Sequence, residues 1–300
     1  MWTISNICRG KQSIQMNHII PVFPTLIHLI HTSQSDQIII NACWAFTYLT
    51  EDNDTVCQEL VQQQKQMQQL QHNKQNIFLT SKFVSFLTHA NTDIVYVALR
   101  LLGNLILGGF INNVIDAGVI NHIHLLLKNN DIKIRNETYY FLTLIAGSGK
   151  EYIDTLLMSS SSMSGLNIII CETMQNASLS ERSEAMWIIF TIAKNGTDLQ
   201  LQSLVDLGAI PALCYNLNVP DIKFILLVLD SIENCLLVGD RLGLDYKVLV
   251  EECGGRDQIE TLLSAENDSV YRKSIAIYEE FFEKEEEEED YAYDWDQGWG

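Results

Sequence analysis

A two-helix pattern recurs along this 300-residue chain. Each copy has a helix of the form I-x-x-L-L, a short polar corner that ends in aspartate, and a second, longer apolar helix. The clearest copies are GVINHIHLLLKNNDIKIRNETYYFLTLIAG from Gly118, GAIPALCYNLNVPDIKFILLVLDSIENCL from Gly208 and GGRDQIETLLSAENDSVYRKSIAIYEEFF from Gly254. A fourth copy starts at Ile19 without the glycine. Because apolar residues recur at i, i+3, i+4 and i+7 and the chain has only four prolines, we predict an all-α protein.

Glycine and aspartate mark the joints of this unit. The glycine permits a sharp backbone turn between helices that a side chain would block. Five aspartates each precede an apolar helical run, and a carboxylate there can accept backbone N–H bonds as an N-cap, worth ~1 kcal/mol. We assign the five a capping role and no other; they are Asp36, Asp93, Asp131, Asp221 and Asp268.

One distinctive residue follows most of these aspartates after seven or eight positions. Together with Trp2, these residues are Trp44, Arg100, Tyr139, Trp187 and Asp230, with spacings of 42, 56, 39, 48 and 43 residues. Repeats of ~40–47 residues with two or three helices are typical of armadillo and HEAT arrays. The two longest spacings contain a glutamine-rich insertion at 58–75 and a serine-rich insertion at 158–165. We interpret both as polar segments between helices, without a binding role.

A single repeat of this kind cannot bury its apolar faces alone. Stacked neighbours form a continuous core, and a small rotation per repeat produces a superhelix with a concave groove. We therefore predict a right-handed armadillo superhelix over residues 1–283, with about six to seven repeats of which the first is incomplete. Residues 284–300 form an acidic tail that we expect to be disordered.

The last helix of each repeat is predicted to line the groove with paired side chains. Residues four apart share one helix face, which gives the pairs Trp2/Asn6, Trp44/Tyr48, Arg100/Asn104, Tyr139/Thr143, Trp187/Thr191 and Asp230/Asn234. An asparagine amide can both donate to and accept from an extended peptide. Tryptophans one repeat apart can hold the methylene stems of lysine or arginine, with a cation–π attraction of ~0.5–2 kcal/mol. The alternative is that the tryptophans only pack one repeat against the next.

Composition restricts the partners of such a groove. The formal net charge of −19 disfavours nucleic acid and favours basic peptides. The seven cysteines show no C-x-x-C pair, which fits reduced, mostly buried thiols. No metal-ligand spacing, cofactor motif or catalytic constellation is evident, so we expect a binding protein and not an enzyme, with no cofactor. We expect no membrane span, since no apolar segment approaches 18 residues.

Four segments resemble one family in particular. WTISNICRGK (2–11), NACWAFTYLTED (41–52) and ALRLLGNLILGG (98–109) are similar to successive groove helices of importin alpha, a family of armadillo-repeat transport adaptors. The segment VEECGGRDQIETLLSAENDSVYRKSIAIYEEFFEKEEEEED (250–290) resembles its last repeat and acidic tail. The resemblance implies a concave groove that binds lysine- and arginine-rich nuclear localisation signals. It implies these peptide-binding residues: Trp2, Asn6, Trp44, Tyr48, Arg100, Asn104, Glu184 and Trp187.

The chain also departs from the pattern of the family. Tyr139 stands in place of a tryptophan, and Thr143 and Thr191 stand in place of asparagines. Each lost amide contact costs on the order of 1 kcal/mol, so we expect the second, minor peptide site to be weakened. Asn41 likewise stands where the family usually has an acidic residue.

The resemblance also suggests partners and a location. The last repeat and tail correspond to the region that engages the exporting karyopherin, and the protein would shuttle between cytoplasm and nucleus. The chain starts within a repeat, so we expect it to lack the segment that docks on importin beta. Two alternatives remain: a catenin-like armadillo scaffold that binds acidic partners, or a truncated importin-alpha-like protein with weak or no cargo binding.

Overall fold

The protein is all-helical wherever its structure is described. The structure is a computed structural model that describes residues 1–9, 20–51, 79–157 and 178–283, with the short stretches 55–59, 61–62, 166 and 169–170. Across these ranges every regular element is an α-helix or 3₁₀-helix, which confirms the predicted fold class. The serine-rich insertion, the acidic tail at 284–300 and most of the glutamine-rich insertion lie outside the described residues. The chain forms two compact units, Met1–Ser148 and Gly149–Gly300.

Eight α-helices of the first unit have bounds within the described residues, and residues 55–59 and 61–62 are also helical. Short 3₁₀-helices at Ile20–Val22 and Val119–His122 lead into the second and the seventh of them. The α-helices are α1 (Trp2–Arg9), α2 (Phe23–Thr32), α3 (Asp36–Thr50), α4 (Leu79–Phe86), α5 (Thr92–Leu107), α6 (Ile111–Asp116), α7 (Ile123–Leu127) and α8 (Ile132–Gly147).

Eight α-helices of the second unit likewise have bounds within the described residues. They are α9 (Lys150–Leu157), α10 (Leu179–Asn195), α11 (Asp198–Asp206), α12 (Ala209–Asn216), α13 (Ile222–Leu242), α14 (Tyr246–Glu252), α15 (Gly255–Leu262) and α16 (Asp268–Phe281). No described helix is both long enough and apolar enough to cross a lipid bilayer.

Long helices pack side by side within each unit. In the first unit α1 packs on α3, α3 on α5 and α5 on α8, and in the second α10 packs on α13 and α13 on α16. Shorter helices cover them from one side, for example α4 against α5 and α15 against α16. Fully buried phenylalanines fill the layer between, among them Phe23, Phe46, Phe83 and Phe141. Because short isolated helices are marginal in water, this packing stabilises each repeat.

The glycines at the start of the repeats adopt the conformation that the sequence predicted. Gly118, Gly208 and Gly254 have φ angles of 86°, 96° and 71°, in the left-handed region. An L-residue there is strained by roughly 1–2 kcal/mol because its Cβ approaches the following carbonyl oxygen. Each of these glycines is the N-cap of the helix that follows it.

The aspartate caps were predicted correctly at two of five positions. The Asp131 carboxylate accepts the backbone N–H of Lys133, and that of Asp221 accepts the N–H of Phe224. At the other three helices the N-cap residue lies one or two positions earlier, so Asp36, Asp93 and Asp268 stand in the first helical turn. A carboxylate there still stabilises the helix through its dipole. The actual N-caps are Ser35, Asn91 and Asn267.

Candidate functional site

Counting from the observed N-caps brings the long helices into a common register. The caps of α3, α5, α10 and α13 are Ser35, Asn91, Ser178 and Asp221. Nine residues after these caps lie Trp44, Arg100, Trp187 and Asp230, respectively. We call this place position nine. It contains four of the distinctive residues that the sequence spacing had selected.

Helix α8 requires a correction to the predicted register. Its cap is Asp131, so position nine is Tyr140 and not Tyr139. The Tyr140 side chain is 46% exposed, whereas Tyr139 is 2% exposed and lies in the core. The predicted pair Tyr139/Thr143 was therefore wrong by one residue. The error arose because counting began at the aspartates, some of which are caps while others stand in the first turn.

The two predicted pairs at the start of the first unit differ in their exposure to solvent. Trp2 is 70% exposed, and the Asn6 amide beside it donates to the Trp2 carbonyl oxygen at 3.0 Å. In α3 the half-buried rings of Trp44 and Tyr48 stack, with centroids 5.3 Å apart and planes inclined by 22°. Each pair therefore shares one helix face, with Trp2 exposed and the Trp44/Tyr48 stack partly covered.

Arg100 links three of the long helices in the first unit. Its Nη1 lies 3.4 Å from the Tyr96 hydroxyl, and the Tyr96 ring in turn lies 6.2 Å from that of Trp44. The guanidinium also lies 3.6 Å from the Glu137 carboxylate on α8 and 4.0 Å from that of Glu51, directly after α3. Burial works to lower the Arg100 pKa, but the Tyr96 hydrogen bond and the two carboxylates outweigh burial and raise that pKa.

Asn104 is directed into the fold. Its Nδ2 donates to the Thr47 carbonyl oxygen and to the Thr50 hydroxyl, both at 3.0 Å, and its side chain is only 9% exposed. Both amide hydrogens thus point at α3. The sequence predicted that this amide binds a peptide, but in the structure it joins α5 to α3.

In the second unit Trp187 is the exposed aromatic residue at position nine. Its ring is 46% exposed and packs edge-on against Phe190, with centroids 5.7 Å apart. Trp187 forms one wall of an open groove whose opposite wall includes Phe224 and Leu227 of α13. Glu184 precedes it by nearly one turn, and burial raises the pKa of this carboxyl group above its usual value.

The sequence did not point to three residues that lie at position nine or contact it. They are Tyr140 at position nine of α8, Glu137 beside Arg100, and Lys273 on α16. Lys273 binds Asp230, which occupies position nine of α13, at 2.6 Å between Nζ and Oδ1. Counting from the N-caps would have found Tyr140. No local signal reveals the two ion pairs, because their partners come from different repeats.

The described residues show no arrangement typical of a metal site, and three of their thiols are buried and unreactive. No three His, Cys, Asp or Glu side chains among them are placed to hold a metal ion. Burial raises the pKa of the thiols of Cys43, Cys214 and Cys235 to about 12, which keeps them protonated and unreactive at neutral pH.

Comparison with known families and structures agrees with the repeat geometry. The family described as "Armadillo/beta-catenin-like repeat" matches residues 21–51, and "Atypical Arm repeat" matches residues 245–293. A designed armadillo repeat protein in complex with the peptide (KR)4 superposes with a TM-score of 0.70 at 21% identity, covering 86% of this chain and 99% of its own. The chain thus has the armadillo-repeat fold.

Sequence relatives identify the group of armadillo proteins that this chain resembles. Importin subunit alpha-4 of Arabidopsis thaliana and importin subunit alpha-1b of Oryza sativa subsp. japonica are each 29% identical over 96% of this chain and 52% of the relative. Importin subunit alpha-3 of Caenorhabditis elegans is 33% identical over 31% of this chain and 18% of its own length. The predicted resemblance to importin alpha is confirmed. The chain spans about half the length of the plant relatives.

Proposed function

We propose that this protein is a nuclear import adaptor that binds lysine- and arginine-rich localisation signals along the exposed faces of its long helices. One observation carries the proposal: Trp44 and Trp187 occupy the same position nine on their helices, where the Trp187 ring is 46% exposed and the Trp44 ring is half-buried and not part of the core. Each unit thus presents an aromatic surface suited to cationic side chains. The relatives named importin alpha, and the designed neighbour in complex with (KR)4, support this choice of ligand.

The chemistry assigns different tasks to the eight predicted site residues. The rings of Trp2, Trp44, Tyr48 and Trp187 contact the methylene stems of peptide lysines and attract their ammonium groups. Asn6 and Glu184 supply polar and negatively charged groups beside the rings. Arg100 and Asn104 keep the neighbouring helices in register and shape the surface on which the peptide lies.

The resemblance extends the proposal to partners and location. Importin beta and the exporting karyopherin are the transport factors to test, the latter through the last repeat and the tail. The protein would then shuttle between cytoplasm and nucleus. Thr191 in place of asparagine beside Trp187 weakens the peptide contact in the second unit, because its hydroxyl donates to the Trp187 carbonyl oxygen at 2.6 Å.

A fluorescence anisotropy titration tests the ligand class. We expect a lysine-rich signal peptide to bind more tightly than an acidic peptide of the same length. Trp44→Ala and Trp187→Ala should each weaken the lysine-rich peptide by about 2- to 30-fold, the equivalent of ~0.5–2 kcal/mol for a cation–π contact.

Tyr271→Ala is the matched control for these two variants. It removes a ring that is 39% exposed on the long helix α16, away from position nine. This variant should bind as the wild type does. Preference for the acidic peptide would instead favour a catenin-like scaffold, and equal losses in all three variants would contradict the assignment of position nine to the ligand.

A further inference from the structure

Two ion pairs in the molecule share one register but have opposite polarity. We call the residue six places after an N-cap position six. In the first unit Arg100, at position nine of α5, meets Glu137, at position six of α8, whose cap is Asp131. In the second unit Asp230, at position nine of α13, meets Lys273, at position six of α16. The contact between position nine of one helix and position six of the next is the same, with the charges exchanged.

Lys273 is held by two carboxylates at once. Its Nζ lies 2.6 Å from Asp230 Oδ1 and also contacts Glu233 Oε2. The lysine side chain is 19% exposed, that of Glu233 24% and that of Asp230 43%. Two negative charges face one positive charge, so the cluster keeps a net negative charge. The Asp230 carboxylate is the part of the cluster that solvent reaches most easily.

In the second unit, position nine carries an accessible ring on α10 and an ion-paired carboxylate on α13. On α10 the Trp187 ring is accessible and Glu184 stands at position six of the same helix. Position six of α13 is the buried Leu227, which lines the groove beside Trp187 and brings no charge to it. On α13 the acidic groups that would attract an ammonium ion are present, but an ammonium ion from within the chain already occupies them.

We propose that Lys273 stands in for a ligand lysine at Asp230 and Glu233, and so closes position nine of α13 to the cationic side chains of a bound peptide. The cationic contacts in the second unit then end at Trp187. This inference rests on the proposed function, since it concerns the same peptide surface. It makes Lys273 a specificity-determining residue that limits how many cationic side chains the surface accepts.

Removing the internal lysine should expose a new cation site. Lys273→Met keeps most of the aliphatic stem and removes the charge, which leaves both carboxylates without their partner. We expect a peptide of alternating lysine and arginine to bind the variant about tenfold more tightly than the wild type, as one added charge-assisted contact of ~1.4 kcal/mol would give. Adding Asp230→Asn and Glu233→Gln to Lys273→Met should abolish that gain.

Arg272→Met is the matched control for net charge. Arg272 is adjacent in sequence, its side chain is 75% exposed, and it pairs with Asp268 on its own helix. Like Lys273→Met, the Arg272→Met variant removes one positive charge, but it leaves the ion pair between Lys273 and Asp230 intact. If Arg272→Met and Lys273→Met raise the affinity equally, long-range attraction explains the effect and the inference is wrong. Circular dichroism and urea denaturation would check that each variant is folded.

A second variant tests the inference without removing Lys273. At an ionic strength of about 1 M, where the screening length of ~3 Å suppresses long-range attraction, the double substitution Asp230→Asn, Glu233→Gln in the wild-type background should leave peptide affinity within about twofold. A larger loss would mean that these carboxylates already bind the peptide, which contradicts closure by Lys273.

The titrations also separate this inference from the proposed function. If the wild type binds the basic peptide and Lys273→Met binds it with the same affinity, the inference alone is wrong. If the wild type does not bind the peptide but Lys273→Met binds it through Asp230 and Glu233, the proposed function alone is wrong. Failure of both proteins to bind overturns both.

Discussion

Single side chains at one backbone position perform different tasks in this protein. At position nine, Tyr140 and Trp187 present exposed rings and Trp44 a half-buried one, whereas Arg100 and Asp230 are engaged in ion pairs with the following helix. The backbone register therefore fixes where a side chain stands, and its partner on the next helix decides whether a ligand can reach it.

Asn104 provides a test of this distinction at the residue scale. Asn104→Leu keeps the side-chain volume but removes both donors to Thr47 and Thr50, which are 2% and 3% exposed. Leaving buried acceptors without this partner should lower the free energy of unfolding by about 1–3 kcal/mol. Urea denaturation measures the change.

Asn6→Ala is the control for Asn104→Leu. Among the described residues the exposed Asn6 amide bonds only to its own helix, so its removal should change stability by no more than about 0.5 kcal/mol. Equal destabilisation by the two variants would show that Asn104 does not join α5 to α3 in solution.

Helix starts decide the register at the scale of the element. At α10 the Ser178 hydroxyl is 3.4 Å from the Glu181 N–H, and the Glu181 carboxylate accepts the Ser178 N–H at 3.1 Å. This reciprocal arrangement is a capping box. The S-x-x-E spacing was visible in the sequence, but the sequence reasoning considered only aspartates as caps and missed it. Ser35 caps α3 without a side-chain hydrogen bond.

The two serine caps give a matched pair of variants. Ser178→Ala should lower stability by about 1 kcal/mol, the usual cost of losing a capping hydrogen bond. Ser35→Ala removes the same hydroxyl from a helix start where it makes no such bond, so it should have little effect. Thermal denaturation followed by circular dichroism at 222 nm, the usual helix signal, compares them. A larger loss from Ser35→Ala would contradict the caps described here.

Charge acts at the scale of the whole molecule. The chain carries a formal net charge of −19, so an approaching basic peptide is attracted from a distance before any ring contacts it. This field accelerates association more than it slows dissociation. The rings, by contrast, act only at contact.

Salt should therefore separate the two effects. Raising ionic strength from about 0.1 M to about 1 M shortens the screening length from ~10 Å to ~3 Å. We expect the association rate of the lysine-rich peptide to fall at least tenfold in stopped-flow measurements, with a smaller change in its dissociation rate. Trp187→Ala should instead raise the dissociation rate and leave the association rate nearly unchanged. An association rate that does not depend on salt would contradict electrostatic attraction of the ligand.

The sequence by itself determined the helical class, the repeat unit and the glycine joints. Helical periodicity and the positive φ of glycine are properties of short segments, so they can be read without knowing what packs against them. The exposed positions of Trp2 and Trp187 also followed from spacing alone. Only the tertiary structure turned the Asn104 amide toward α3 and joined Lys273 to Asp230. Each of these depends on contact between residues far apart in the chain, and local pattern contains no information about which of them meet.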